Sequence, residues 1–76
     1  MMKELVEYIA RGLVEDPEQV RVVEHRRGDR VTIRLTVANE DMGKVIGKQG
    51  RIARALRDLL KVAAVQEGVR VDLEIG

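Results

Sequence analysis

The sequence predicts a two-layer α+β fold in the order α-β-β-α-α-β, a three-stranded mixed sheet with helices on one face. Three observations predict it. Residues 31–38 and 69–75 alternate apolar and polar side chains with a period of two. Residues 2–15 and 50–66 repeat apolar residues at helical spacing. A tight turn at 27–30 joins the first two strands, whereas two helices separate the second from the third. That long crossover is what a parallel pair needs.

The first helix, over 2–15, rests on Leu5, Ile9 and Leu13 at i, i+4 and i+8, with Val6 and Tyr8 widening the stripe. Tyr8, the one aromatic residue, is expected in the core. Asp16-Pro17 ends the helix, because proline disfavours a helical residue before it. Residues 20–27 carry Val20, Val22 and Val23 among many charges and read as an edge strand. Arg27-Gly28-Asp29-Arg30 then reverses the chain. Val31, Ile33, Leu35 and Val37 mark the clearest strand. Asn39-Glu40-Asp41 supplies helix-capping types before a short helix over 42–46. A glycine loop separates it from the long helix, which Gly68 closes. Residues 69–75 are the last strand.

Seventy-six residues predict a single domain over 1–76, near the lower size limit for independent folding. With no cysteine there is no disulfide and no thiolate chemistry, which fits a reducing cytoplasm. No apolar run resembles a signal peptide or a membrane span. There is also no serine, and the lone His25 lies on the charged edge strand without a carboxylate at motif spacing. No enzyme, metal site, cofactor or small-molecule substrate is therefore expected. Net charge is only +1, but it is polarised. Residues 43–61 hold Lys44, Lys48, Arg51, Arg54, Arg57 and Lys61 against Asp58 alone, while residues 1–19 hold five acids against two bases. One basic region is the footprint of a polyanion binder.

The informative run is Gly43-Lys44-Val45-Ile46-Gly47-Lys48-Gln49-Gly50-Arg51. A Walker loop needs four residues between its glycines and a Ser or Thr after the lysine. Here three residues separate Gly43 from Gly47, and Gln49 follows Lys48. The dinucleotide fingerprint does not fit glycines at 43, 47 and 50 either. Without side chains, Gly47 and Gly50 would let a sugar-phosphate strand approach the main chain. The helix start behind them would offer free N–H groups and a partial positive charge. Lys48 adds a mobile cation, Gln49 a neutral donor, and Lys44, Arg51 and Arg54 flank the loop. With no aromatic platform for bases, binding should be weak, salt-sensitive and tolerant of sequence.

Val45-Ile46-Gly47-Lys48-Gln49-Gly50 between two helices, with a strand on either side, resembles the KH-domain motif. The additional N-terminal helix and strand resemble the type II arrangement. Length and wording together resemble the KhpA family of stand-alone bacterial single-KH proteins. The resemblance implies a cytoplasmic RNA chaperone that clamps about four nucleotides of single-stranded RNA. On that reading Lys44, Ile46, Gly47, Lys48, Gln49, Gly50, Arg51 and Arg54 contact RNA. It also implies self-association or pairing with a KhpB-like KH protein, and a link to cell-wall growth and cell length. One position departs from the motif. Ala53 stands where a large apolar residue is usual, which predicts different packing under the loop.

The long helix is apolar over an arc of about 200°, wider than one sheet interface needs. Ala53, Leu56, Leu60 and Ala64 share one side, and Ile52, Ala55, Leu59 and Val62 extend the other. That second side is expected either to form a dimer contact or to lie buried under the N-terminal helix. The same sequence also fits a protein-interaction module with marginal RNA binding, or a ribosome-associated KH factor.

Overall fold

The computed structural model describes residues 1–76. Helix α1 spans Met2–Leu13, strand β1 Arg21–Arg27, strand β2 Arg30–Thr36, helix α2 Met42–Ile46, helix α3 Arg51–Glu67 and strand β3 Arg70–Ile75. Short 3-10 turns occupy Pro17–Gln19, Asn39–Asp41 and Lys48–Gly50. The sheet order is β1-β2-β3, with β1 antiparallel and β3 parallel to β2. This is the expected topology. Strand β2 stops at Thr36, short of residue 38, because its partner β1 begins opposite at Arg21 and the ladder has no further neighbour.

The sheet buries Val22, Val31, Ile33, Leu35 and Leu73 against the helices. Its other face is open to solvent. Helix α3 covers the sheet with Ala53, Leu56, Leu60 and Ala64, the side read from periodicity. Leu60 is 1% exposed, and burying such a side chain stabilises the fold by about 1.5–3 kcal/mol. Gly68 takes a left-handed conformation at φ 71°. Its N–H and that of Val69 bond back to Val65 and Ala64, satisfying carbonyls at the helix end.

Helix α1 is turned from its expected orientation. Its buried residues are Met2, Val6 and Ala10, while Leu5 and Ile9 are half-buried and Leu13 is exposed. This docking face lies about 60° round the helix from the Leu5–Ile9–Leu13 stripe. Ala10 brings only a methyl group, so the helix can lie close to the sheet there. Tyr8 is consequently 81% exposed, not in the core, since it lies about 160° from the docking face. The helix also ends two residues early, at Leu13. Val14 is already extended, and Asp41 captures the amides of the following two residues.

Candidate nucleic-acid interface

The glycine loop lies between α2 and α3 and is built by three unusual conformations within four residues. Gly47 has φ 79°, ψ 169°, a region essentially reserved for glycine. Gln49 is the one non-glycine residue with positive φ, at 57°, and Gly50 follows at 74°. Gly47 N–H donates to the Gly43 carbonyl at 2.8 Å, and Gly50 N–H donates to the Gly47 carbonyl at 3.1 Å. The Arg51 N–H donates to the Lys48 carbonyl. Three amides expected to face a ligand are therefore spent in holding the turn. This alters the picture of a bare main chain offering all its N–H groups, because a reversal this tight needs its own hydrogen bonds.

The two glycines serve different purposes. A Cβ on Gly47 would lie 2.8 Å from the Ile52 backbone nitrogen and 2.9 Å from the Ile52 Cβ. Gly47 is thus required by packing within the protein. A Cβ on Gly50 would meet nothing within 4 Å, so Gly50 is the glycine that leaves open surface. Ile52, placed by the sequence on the second face of α3, is half-buried against the core and sits behind Gly47. Ala53 is buried where the motif usually has a larger residue, and the neighbouring Ile52 supplies the bulk directly behind the loop.

Around this turn the structure gathers an exposed cationic rim. Lys48, Gln49, Arg51 and Arg54 are all exposed, and Ile46 is 37% exposed beside them. Arg54 Nη2 donates to the Gln49 carbonyl at 3.4 Å, and Arg51 Nη2 reaches the Gln49 Oε1 at 3.5 Å. None of Lys48, Arg51 and Arg54 forms an ion pair. Long cationic side chains held near a loop with no anion are positioned for one from outside.

Lys44 is the exception among the expected contacts. Its Nζ lies 3.4 Å from both Asp41 Oδ1 and Glu15 Oε1. Partial burial pushes its ammonium pKa down, but the two carboxylates outweigh this and hold it above the ordinary lysine value. Asp41 itself was not singled out as structural from the sequence. Its carboxylate does not cap α2; it is 2% exposed and accepts the N–H groups of Glu15 at 3.2 Å and Asp16 at 3.1 Å. The Glu15 amide, the Asp16 amide and Lys44 hold its pKa below the ordinary aspartate value despite burial. Asp41 thus ties the end of α1 to the start of α2. The only sequence signal was an acid beside a helix start, which reads as a cap.

The second side of α3 is not buried under α1. Leu59 is 49%, Val62 62% and Val65 80% exposed, and Ala55 is exposed with them. Val65 extends this exposed side beyond the stripe that the spacing predicts. His25 is exposed on β1, in register with Thr32 of β2. No helix is long and apolar enough to cross a membrane.

Comparison with known proteins agrees with this geometry. A family model described as KhpA/KhpB, KH domain, matches residues 3–75. A protein named RNA-binding protein KhpA from Clostridium perfringens is 54% identical over 74 residues, covering 97% of this chain and 99% of its own. Its namesake from Caldanaerobacter subterraneus subsp. tengcongensis is 55% identical over 74 residues, with the same coverage. That from Treponema pallidum is 51% identical over 75 residues, covering 99% of this chain and 94% of its own. Relatives this similar bear the name of a binding protein, and the chain is not an enzyme. Among solved structures, Era in complex with MgGDPNP and nucleotides 1506-1542 of 16S ribosomal RNA superposes with a TM-score of 0.55 at 22% identity. The match covers 97% of this chain and 28% of the Era chain, and it speaks to the fold alone. With its glycine loop set between two helices, its added N-terminal helix and strand, and these matches over nearly its whole length, the chain belongs to the KhpA/KhpB family of type II KH domains.

Proposed function

We propose that this protein binds single-stranded RNA by its sugar-phosphate backbone at the loop Gly47-Lys48-Gln49-Gly50. The carrying observation is the turn itself: an open glycine at 50 beside Lys48, Arg51 and Arg54, none of them in an ion pair. Ile46 lends an apolar contact beside the loop, and Gly47 keeps the turn closed. Lys44 acts at the periphery, since it must leave Asp41 and Glu15 to reach a phosphate. Relatives named RNA-binding proteins support the choice of RNA. The only aromatic side chain, Tyr8, lies on α1 and not on the loop, so no base at the loop gains the ~1–3 kcal/mol of aromatic stacking. Binding by one copy is therefore weak and sequence-tolerant, which suits an RNA chaperone.

Useful affinity then comes from joining two domains. The apolar side of α3, through Ala55, Leu59 and Val62, is the surface for a second copy or for a KhpB-like partner, with Ile52 at its inner edge. The cellular role carried by the family likeness is in cell-wall growth and cell length within the cytoplasm. A second reading, a protein-interaction module in which RNA is marginal, is favoured by the same exposed side chains. Fluorescence anisotropy with a short single-stranded RNA, over several salt concentrations, separates the two. The wild type should bind with log K falling against log salt by about 0.7 per phosphate contacted. Lys48→Asp/Gln49→Asp should fold normally and lose binding. Equal binding by both proteins would remove the loop from the mechanism.

A further inference from the structure

The solvent face of the sheet carries a second cationic cluster, away from the glycine loop. In the register of the sheet Arg27 lies opposite Arg30, and Arg30 lies beside Arg70. All three are exposed on the side away from the helices, since their neighbours Val31 and Val71 face inward. Three arginines thus stand in one row across three strands. Like charges directly opposite one another on a sheet destabilise it. The rest of this face shows how such charge is normally relieved. Arg34 reaches the Glu74 carboxylate with Nη2 at 2.9 Å and Nε at 3.2 Å, and Arg21 donates to the Glu18 and Val20 carbonyls. The row has no such relief. Arg27, Arg30 and Arg70 make no ion pair and no side-chain hydrogen bond, although Asp29 and Asp72 are close in the chain.

Two further features organise the cluster. The Arg70 N–H donates to the Asp29 carbonyl at 2.7 Å, which fixes the start of β3 against the hairpin turn. Arg30 and Arg70 also border, at the end of the sheet beside α3, a hollow of about 450 Å³ that Lys61, Ala64 and Val65 of the helix line from the other side, with Asp72 as its single acid. The row lies at the C-terminal end of α3, whereas the glycine loop lies at its N-terminal end. Seventeen helical residues separate the two by about 25 Å.

We propose that the Arg27–Arg30–Arg70 row is a second binding site for the phosphate backbone of RNA, so that one molecule holds two RNA segments at once. Guanidinium groups match phosphate oxygens in pairs, and an anion laid across the row removes the repulsion within it. The face offers no ring for stacking, so it reads charge and not sequence. Two grips at opposite ends bring separate RNA segments together, which is the elementary act of strand annealing. The inference rests on RNA being the ligand of the glycine loop, but the two sites are separable by experiment.

Four proteins test it: wild type, Arg30→Gln/Arg70→Gln, Lys48→Asp/Gln49→Asp and the combination, each measured with one 16-nucleotide single-stranded RNA across a salt series. Annealing of two complementary labelled strands is measured alongside by energy transfer. The arginine variant should lose about tenfold in affinity and about 1.4 from the salt slope, at roughly 0.7 for each of two phosphate contacts. Its annealing rate should fall further than its affinity, and its melting temperature should rise slightly as the repulsion is relieved. Unchanged slope and annealing in this variant would overturn the second site. Should the loop variant alone bind like wild type, the loop reading falls and the arginine row stands. Failure of the wild type to bind at low salt would sink both.

Discussion

Gly47→Ala is the substitution whose consequence is best defined by the geometry. At φ 79°, ψ 169° an alanine is strained by about 1–3 kcal/mol, since that region is nearly closed to L side chains. The new methyl carbon would also lie 2.8 Å from a backbone nitrogen and 2.9 Å from the Cβ of Ile52. Neither atom is the end of a flexible chain, so the start of α3 must move away. Overpacking of this kind adds about 1–3 kcal/mol. The expected loss is therefore about 2–6 kcal/mol, a large share of the stability of so small a domain. For a chain of this size each kcal/mol lowers the melting temperature by about 4–8 °C. Gly50→Ala is the matched control. Its φ of 74° strains an alanine, at about 1–2 kcal/mol, but the methyl group meets nothing. Thermal and urea unfolding followed by circular dichroism should rank Gly47→Ala well below Gly50→Ala. Ile52→Ala should not rescue the former, because the close backbone nitrogen remains. A Gly47→Ala protein melting within about 2 °C of wild type would refute the packing account of this glycine. The control also has a functional readout: Gly50→Ala keeps its fold, so a loss of RNA binding in it reports contact at the open surface.

Asp41 makes stability depend on acid. Its folded pKa is lowered from the ordinary 3.8, so its contribution is complete above that value and is lost as pH falls through the lower folded value. Melting curves from neutral pH to below 3.8 should fall more steeply for the wild type than for Asp41→Asn, and parallel curves would contradict the assignment. Leu60→Ala empties a fully buried position and should cost about 2–5 kcal/mol in urea unfolding, whereas Val65→Ser, at a position 80% exposed, should cost under about 0.5 kcal/mol. Leu59→Glu should reduce the sedimentation mass of any dimer without lowering the stability of the monomer, because Leu59 is half exposed. An unchanged mass would dismiss the apolar side of α3 as the self-association surface.

Local chemistry was sufficient to foresee the topology. Alternation along β2 and β3, the Gly28 turn and the Gly68 cap are properties of a few consecutive residues, and each lies where its spacing predicts. The glycine loop was legible for the same reason, as were the exposed cations Lys48, Arg51 and Arg54. Ala53, Leu56, Leu60 and Ala64 were legible as the covered side of α3 because apolar periodicity encodes a face. Periodicity could not say which of two adjacent stripes of α1 would dock. The side with Val6 and Ala10 approaches more closely than one with Ile9 and Leu13 could, Met2 is fully buried beside them, and Tyr8 is left in solvent.

By itself, then, the sequence determined the order of elements, the sheet topology and the loop that bears the basic rim, because these follow from hydrogen-bonding geometry and apolar spacing over short stretches. Only the tertiary structure decided what each side chain meets. It set Ile52 behind Gly47, engaged Lys44 with Asp41 and Glu15, and aligned Arg27, Arg30 and Arg70 across three strands. The Lys44–Glu15 and Arg30–Arg70 relations join residues distant along the chain, and the Gly47–Ile52 contact is fixed by the angle at which α3 leaves the loop. They depend on how the layers settle against one another, and no local pattern carries that information.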